Sequence, residues 1–453
     1  MTQVLHVFRH QWADFWRRGI VLAMALSVGL VGIASVLLEW QAWHQEDATR
    51  QAMQAQERSQ WLALEDTHIH KAAHRGYFVI RDMSVGVVLD RGVWDFGGSA
   101  IWLEAHRRNA PLLRAADDAG ILARAVPRGV GPVCLWLVPL LIAVLAHGVF
   151  ASERAQGSLA FAISSGAPPG TLVLGKSLAT IALAWAGALL PLGLGMAIAL
   201  ANGQEAAPTA VWLVATLAAL VLFAVGTVIV SALCTRPFQA LIALLLIWFV
   251  FVVVWPRLAA DLTGQLLPLP SSQTVRVEAE VASEGLVSDE SKDLVRTMLA
   301  TKGVTSPNSG GVSAMAAEID AAAAFKRIFA PLEEGKQNQA RLLDVLSWLS
   351  PIGAADRLGD SVLHLSDHDQ AVFEARAEAM RFATQMALNE GWAEQTKSAR
   401  GDAVLWQKVI DAADKATVQR PPKSLAWGGL VLWGFISVWG LISARSVIAR
   451  SAV

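Results

Sequence analysis

Histidines at short spacing are the residues of this sequence that most resemble a chemical site. His68, His70 and His74 have the spacing of metal ligands, and His364 and His368 lie four residues apart. Imidazole binds zinc and copper, but neither group includes the cysteine or closely spaced methionine that copper favours. Solvated histidines are the favoured interpretation, and a zinc or copper site is the alternative.

A second pattern has the letters of a phosphate-binding loop without its surroundings. Residues 170–177 read GTLVLGKS, which satisfies GxxxxGK[ST]. That motif needs a buried strand before it and small residues whose N–H groups surround the phosphate. Here SSGAPP precedes the motif and Leu-Val-Leu fills its interior. We therefore expect this chain to bind no nucleotide and no other cofactor.

The composition is that of an integral membrane protein with large water-facing parts. Charged residues make up 17% of the 453 residues and hydrophobic residues 54%, whereas roughly 25% are charged in soluble domains. The net charge is −1, so no basic field attracts nucleic acid. Cys134 and Cys234 lie in or beside apolar runs and provide no disulfide framework.

Six apolar runs are long enough to cross a bilayer, whose core of about 30 Å needs roughly 20 helical residues. None contains Asp, Glu, Lys or Arg, and they cover residues 20–38, 132–150, 177–201, 209–233, 240–255 and 425–444. The fifth could extend past Pro256. The sequence predicts an all-α polytopic membrane protein with six transmembrane helices.

Basic residues in the short loops predict the orientation, because Lys and Arg stay on the cytoplasmic side. They are Arg9, Arg17, Arg18, Arg154, Lys176, Arg236, Arg445 and Arg450, while the loop 203–208 carries only Glu205. Both termini are therefore expected in the cytoplasm of a bacterial inner membrane. The cytoplasmic parts are an amphipathic helix (1–19), a loop (151–176) and a tail (445–453).

The two long segments, 40–127 and 261–423, then form a mostly helical α+β extracytoplasmic domain. Residues 40–65 predict a helical extension of the first span. The alternation in 272–281 predicts a half-exposed strand, and 303–311 a flexible loop. Helices are expected over 313–329, 336–349 and 369–389, and Pro421–Pro422 is expected to end the domain.

The spans hold no acidic or basic residue except His147. Ion-coupled transporters usually carry such residues at membrane depth. We therefore expect the energy for any transport to come from outside the bilayer.

The loop between spans two and three carries a family resemblance. FASERAQGSL (150–159), GAPP (166–169) and LVLGK (172–176) resemble the cytoplasmic loop of type-2 ABC exporter permeases. The N-terminal VLHVFRHQWADFWRR (4–18) is similar to their amphipathic connecting helix, with Leu5, Phe8, Trp12, Phe15 and Trp16 on one face. Ser158 replaces the more usual threonine.

The resemblance implies a coupling helix that sits in a groove of a separate ATPase. We expect Ser152 to cap this helix, Leu159 and Phe161 to face the partner, and Lys176 to be an interfacial anchor. The implied coupling residues are Ser152, Glu153, Arg154, Gly157, Ser158, Leu159, Phe161, Gly175 and Lys176.

A second resemblance extends over most of the chain. LSPIGAADRL (349–358) and HDQAVFEARAEAMR (368–381) look like a permease subgroup with large extracytoplasmic domains after spans one and five. It implies a non-enzymatic export permease whose partners are an ATPase holding ATP and Mg, a second permease (identical or sister), the lipid bilayer and a periplasmic protein. It identifies no substrate.

Two other functions remain open from the sequence. The chain could be a membrane-anchored sensor or assembly scaffold whose outer domains bind a protein or a metal. It could also be a metalloenzyme built on the outer histidines.

Overall fold

The computed structural model describes residues 2–64, 66–118, 120, 128–283, 287–395, 399–418 and 427–450. Six helices among these residues are long and apolar enough to cross a membrane: Ile20–Leu62, Val130–Ala155, Pro169–Ala201, Ala206–Leu233, Pro237–Leu266 and Trp427–Arg450. They match the six predicted spans in order. The chain is an all-α polytopic membrane protein, as predicted.

The first two helices are α1 (Thr2–Arg17) and α2 (Ile20–Leu62). Because α2 continues far beyond Leu38, it contains both the first span and its predicted helical extension. A short mixed segment follows, made of α3 (Ile69–Arg75), β1 (Tyr77–Ile80), a 3-10 turn (Val85–Val88), α4 (Trp94–Gly97), β2 (Ala100–Glu104), β3 (Arg107–Arg108) and α5 (Ala115–Asp118). The strands pair antiparallel in the order β1-β2-β3, with Tyr77 opposite Leu103.

The middle of the chain supplies four spans. They are built from α6 (Val130–Ala146), α7 (Gly148–Ala155), a short α8 (Ser158–Ser164), α9 (Pro169–Ala201), α10 (Ala206–Leu233), α11 (Pro237–Trp248), a π-helical turn (Phe249–Val254) and α12 (Trp255–Leu266). The fifth span does pass Pro256. The π turn has already changed the hydrogen-bond register there, and proline is tolerated in the first turn of α12.

The remaining elements are helical: α13 (Ser272–Ser283), α14 (Asp289–Thr301), α15 (Ser309–Ser347), α16 (Pro351–Val362), α17 (Asp367–Glu394), α18 (Ala403–Asp414) and α19 (Trp427–Arg450). We call the described residues of 63–118 and 267–418 the head domain. Its predicted end at Pro421–Pro422, and the predicted start of span six at Leu425, lie outside the described residues.

The predicted strand over 272–281 is wrong, because this segment is helix α13. Val275 and Ala279 are buried four residues apart, which places them on one helical face. Val277 and Val281 are 55% and 67% exposed. Of the four alternating apolar residues, only Val275 and Ala279 face the core. The alternation was therefore misleading.

The two helices predicted over 313–329 and 336–349 are one helix, α15. Pro331 lies inside it but is exposed, so water can bond the carbonyl that its ring displaces. The predicted loop 303–311 ends early, because α15 starts at Ser309. Asn308 caps that start by accepting hydrogen bonds from the N–H groups of Gly310 and Gly311.

One continuous apolar core connects the membrane helices with the near side of the head domain. It runs from Phe15 of α1 through Met24 of α2 and Leu183 of α9 to Leu358 of α16. Helix α9 contacts α1, α2 and α10, while α10 contacts α16 and α19. The head is therefore packed directly on the membrane helices.

A buried ion-pair network also joins the two parts. We call it the junction network; its members are Glu39, Glu46, Arg91, Asp95 and Arg128. The Arg91 guanidinium, 3% exposed, contacts carboxylates of Glu39, Glu46 and Asp95 at 2.6–3.1 Å. Arg128 contacts Glu39 and Asp95 at 3.0 Å. The network fixes α2, the loop before α4 and the chain entering α6 to one another.

Candidate coupling site

The bend between α6 and α7 positions the loop that resembles a coupling loop. Ser231 of α10 donates a hydrogen bond to the His147 carbonyl at 2.6 Å. Its hydroxyl also accepts from the N–H groups of Phe150 and Ala151 at 3.0 and 3.1 Å. One side chain of span four thus fixes both sides of the bend in span two.

Arg154 continues this attachment to span four. Its guanidinium donates to the carbonyls of Ala232, at 2.7 Å, and Cys234 at the end of α10. The last carbonyls of a helix have no partner within the helix and carry partial negative charge. Arg154 is therefore engaged inside the chain, rather than pointing only toward a partner.

Lys176 is the centre of a buried network between three helices. Its side chain is 4% exposed, and its ammonium lies 2.6 Å from the Glu153 carboxylate. It also donates to the Val149 carbonyl at 2.7 Å and to Gln11 Oε1 at 3.2 Å. The predicted interfacial anchor is therefore wrong: Lys176 joins α9 to α1 and α7 instead of reaching water.

Gly175 allows the close approach that this network needs. A Cβ at Gly175 would lie 2.6 Å from Val7 Cβ and 3.0 Å from the Val4 carbonyl oxygen of α1. The GTLVLGKS segment that contains Gly175 and Lys176 lies within α9. Its N–H groups bond along the helix, so it forms no phosphate loop.

Helix α8 is the part of the loop that faces outward. Gly157 has a φ of +78° and reverses the chain between α7 and α8, a conformation that favours glycine. Phe161 is 74% exposed, whereas Leu159 is 1% exposed and packs inside the chain. Between residues 155 and 166 the exposed residues are Ala155, Gln156, Gly157, Ser158, Ala160, Phe161, Ser164, Ser165 and Gly166.

Two expectations for this loop are therefore corrected. Ser152 does not cap the short helix, because it lies inside α7, and Gly157 at the start of α8 provides no side-chain cap. Leu159 does not face outward, because helical spacing turns it into the core while Phe161 projects away. Ser158 instead donates to the Glu153 carbonyl at 3.2 Å.

The first and last helices reach the same end of the molecule as this loop. Gly170 lies 3.6 Å from the Arg445 side chain of α19, measured from a Cβ built on the glycine. On α1, Phe15 is buried and Phe8 and Trp12 pack against the core, whereas Leu5 and Trp16 are 47% and 63% exposed. The predicted apolar face of α1 is thus only partly engaged within this chain.

Residues 5–399 match the ABC-2 family transporter protein family. The chain belongs to this family. No curated protein matches the chain. The family and the six apolar helices make it an ABC transporter permease and a multi-pass membrane protein.

Sequence reasoning missed two residues of the permease that hold its loop in position, Gln11 and Ser231. Both are buried polar residues whose partners lie 165 and about 80 positions away. Gln11 gave a weak signal, as a polar residue among the aromatic residues of α1. Ser231 gave none, because a serine in a span usually bonds its own helix.

The first histidine group, His68, His70 and His74, lies in the head domain of the permease, away from the loop. His70 and His74 share one face of α3 with ring centres 4.6 Å apart, and His106 lies 5.5 Å from His74. His68 caps α3 by accepting from the His70 N–H. In the described part of the chain no group of three or more His, Cys, Asp or Glu side chains is arranged to hold a metal.

The second histidine pair is not brought together. His364 Nδ1 lies 3.1 Å from an oxygen of Asp369, and His364 has a φ of +62°. His368 borders a different surface, beside Phe96 and Gln337. The two side chains therefore belong to separate surroundings, despite their spacing in the sequence.

Proposed function

We propose that this permease couples ATP hydrolysis by a separate cytoplasmic ATPase to export of a substrate, or to conformational work on an extracytoplasmic partner. The observation that carries the proposal is the contrast within one loop. Phe161 of α8 projects outward, while Glu153, Arg154 and Lys176 bond the same loop to the membrane helices. Such an arrangement can pass a push on α8 into the spans.

The distribution of charge supports a cytoplasmic position for this loop. Arg9, Arg17, Arg18 and Arg445 lie at the loop's end of the molecule or next to it, and basic residues stay on the cytoplasmic side. The head domain is then on the extracytoplasmic side of a bacterial inner membrane. ATP and Mg would be held by the partner ATPase.

A second permease is the other partner that we propose. Only 17% of the most apolar stretch of span five, and likewise of span six, is buried within the chain. Exposed large side chains on them include Phe238, Phe249, Phe435 and Trp439. Lipid covers part of such a surface, and a second permease, identical or sister, is expected to cover the rest.

Replacing Phe161 by alanine tests the contact with the ATPase. Because Phe161 is exposed in the isolated chain, Phe161→Ala should change the melting temperature little. It should weaken co-purification of the ATPase by about tenfold or more, since buried aromatic anchors carry about 2 kcal/mol or more at interfaces. The measurement is the amount of ATPase retained on the tagged full-length permease, together with its ATP hydrolysis rate.

Two matched variants separate this effect from unfolding. Leu159→Ala, on the same helix but buried, should lower the melting temperature. Phe96→Ala, exposed in the head domain, should change neither property. Normal ATPase retention and stimulation by Phe161→Ala would contradict the proposal. A permease that retains no ATPase in any form would favour the sensor or scaffold function.

A further inference from the structure

A cavity of about 360 Å³ lies in the head domain between its two chain segments. One wall comes from β2 and the residues after β3, including Trp102 and Asn109. The other walls come from the start of α13, the middle of α15 and α17, including Phe329 and Glu378. Its volume falls in the range of small-molecule sites, about 300–1,000 Å³.

The lining of this cavity is apolar in its body. Trp102, Phe329 and Leu332 are half-buried, and Pro111 and Leu269 complete the surface. Gly335 lets the Leu269 segment lie against α15, because a Cβ there would be 2.7 Å from Leu269 Cδ2. Aromatic and aliphatic walls of this kind accommodate the non-polar part of a ligand.

The cations of the cavity fall into two groups. Arg108, Lys336 and Arg381 are neutralised by contacts with Glu333, Glu374 and Glu378, respectively. Arg381 also pairs with Glu318, and the Arg108 guanidinium lies 4.4 Å from the centre of the Phe329 ring. These three are therefore parts of the protein's own structure.

The other group is at the mouth and has no such compensation. Arg114 and Arg276 are exposed and line the cavity. Neither forms an ion pair with any residue that the structure describes, and Arg276 donates only a weak hydrogen bond of 3.4 Å to the Ser272 carbonyl. Two uncompensated guanidinium groups next to apolar walls favour an anion that carries an apolar body.

We propose that this cavity binds an organic anion with an apolar body, such as an alkyl or aromatic carboxylate. The carboxylate would contact Arg114 and Arg276, since the guanidinium fork matches carboxylate geometry. The apolar body would lie against Trp102, Phe329 and Leu332. The site is separate from the coupling loop and does not depend on coupling to an ATPase.

Octanoate is a suitable probe, with octanamide as its neutral counterpart. Binding is measured by calorimetry on the full-length permease in phosphatidylcholine nanodiscs, with empty nanodiscs subtracted. Octanoate should bind at least about tenfold more tightly than octanamide, because charge-assisted hydrogen bonds are the stronger ones. Arg276→Gln and Arg114→Gln should each weaken octanoate binding about fivefold to tenfold.

Further variants distinguish the cavity from general charge effects. Arg296→Gln removes an exposed arginine of α14 outside the cavity and should leave octanoate binding unchanged. Leu332→Trp should reduce binding by filling the cavity, at an unchanged melting temperature. Equal binding of octanoate and octanamide, or an unchanged affinity in Arg276→Gln, would overturn the proposal.

A last comparison identifies the source of the natural ligand. If phosphatidylglycerol in the nanodiscs competes with octanoate, the anion comes from the bilayer. If it does not compete, the ligand is a soluble anion. Both outcomes keep the recognition chemistry proposed for the cavity.

Discussion

Three carboxyl groups, those of Asp90, Asp356 and Asp360, meet at the base of the head domain. Asp90 and Asp360 are 3% and 6% exposed and within hydrogen-bonding reach of each other. Asp356 is one helical turn before Asp360 on α16. Burial, together with mutual repulsion, raises the pKa of Asp90 and Asp360 well above the usual carboxyl value, and burial raises the pKa of Asp356 to about 6.

The charge of Arg357 lowers the pKa of Asp356 and of Asp360, but this effect is smaller than the effect of their burial. Arg357 turns to Asp344 and Asp367, with contacts of 3.0 and 2.8 Å. Among the residues that the structure describes, Asp360 Oδ1 has no hydrogen-bond partner, and Asp90 Oδ1 accepts only from the Gly92 N–H, at 3.1 Å. The raised pKa values of Asp90 and Asp360 therefore favour a protonated cluster between α16 and the loop after the 3-10 turn.

Asp360→Asn should make the protein less sensitive to rising pH. A carboxyl with a raised folded-state pKa contributes its full stability below the unfolded value near 4, and loses it as pH rises through the folded value. Each unit of difference in pKa corresponds to about 1.4 kcal/mol. The wild-type melting temperature should therefore fall more between pH 5 and 8 than that of the variant.

Melting curves of the full-length permease from pH 4 to 9 test this prediction. Asp293→Asn, at a carboxylate 73% exposed, is the control and should follow the wild type. The pKa of His70 and of His74 is lowered by burial and by neighbouring histidines, so they destabilise the protein in acid, in the opposite direction. Parallel curves for Asp360→Asn and wild type would contradict the shared-proton cluster.

At the scale of elements, the sequence predicted what depends on local composition. Six spans follow from apolar length alone, and the helical extension of α2 follows from its run of Gln, Ala and Glu. The fold of 272–281 was not predictable in this way. Val275 and Ala279 are both buried, and Ala279 packs against Ala321 and Phe325 of α15, more than 40 residues later. Val275 and Ala279 fit both the alternation of a strand and the four-residue spacing of a helix. Only the tertiary contact therefore decides between strand and helix.

The candidate site shows the same division. The loop sequence provided the candidate coupling residues, but not what each side chain contacts in the fold. Lys176 looked like a boundary lysine because Gln11 and the Val149 carbonyl, which keep it buried, are distant in sequence or belong to the backbone. Leu159 and Phe161 differ in exposure because they lie on opposite faces of α8.

The junction network should contribute measurably to the stability of the protein, because it connects several elements. Arg91→Met should lower the melting temperature strongly, because it leaves carboxylates of Glu39 and Asp95 buried with only Arg128 to balance them. Removing one partner of a buried pair costs about 3–5 kcal/mol. Arg58→Met is the control, since its pair with Asp414 is exposed and worth about 1 kcal/mol or less. Equal effects of both variants on the melting temperature would show that the network does not join the head to the spans.

Across the whole molecule, the candidate coupling site and the near side of the head domain share one core. The candidate coupling site lies at the end that α1 and α19 reach, and the head domain with its cavity lies at the other. Helix α2 extends from the membrane into the head domain, and α10 contacts both α7 and α16. A movement of α8 therefore has a continuous packed route to the head, provided that the loop stays bonded to the spans.

Lys176 is the residue at which that route can be interrupted. Lys176→Met removes the contacts with Glu153, Gln11 and the Val149 carbonyl but leaves Phe161 exposed for the ATPase. Retention of the ATPase should remain near wild type, while the permease's stimulation of ATP hydrolysis falls about tenfold, within the usual range of coupling energies. Lys71→Met, at an exposed lysine of the head domain, should alter neither property. Stimulation at the wild-type level by Lys176→Met would mean that the buried network only stabilises the fold. The proposed push on α8 would then reach the spans through Arg154 and Ser231 instead.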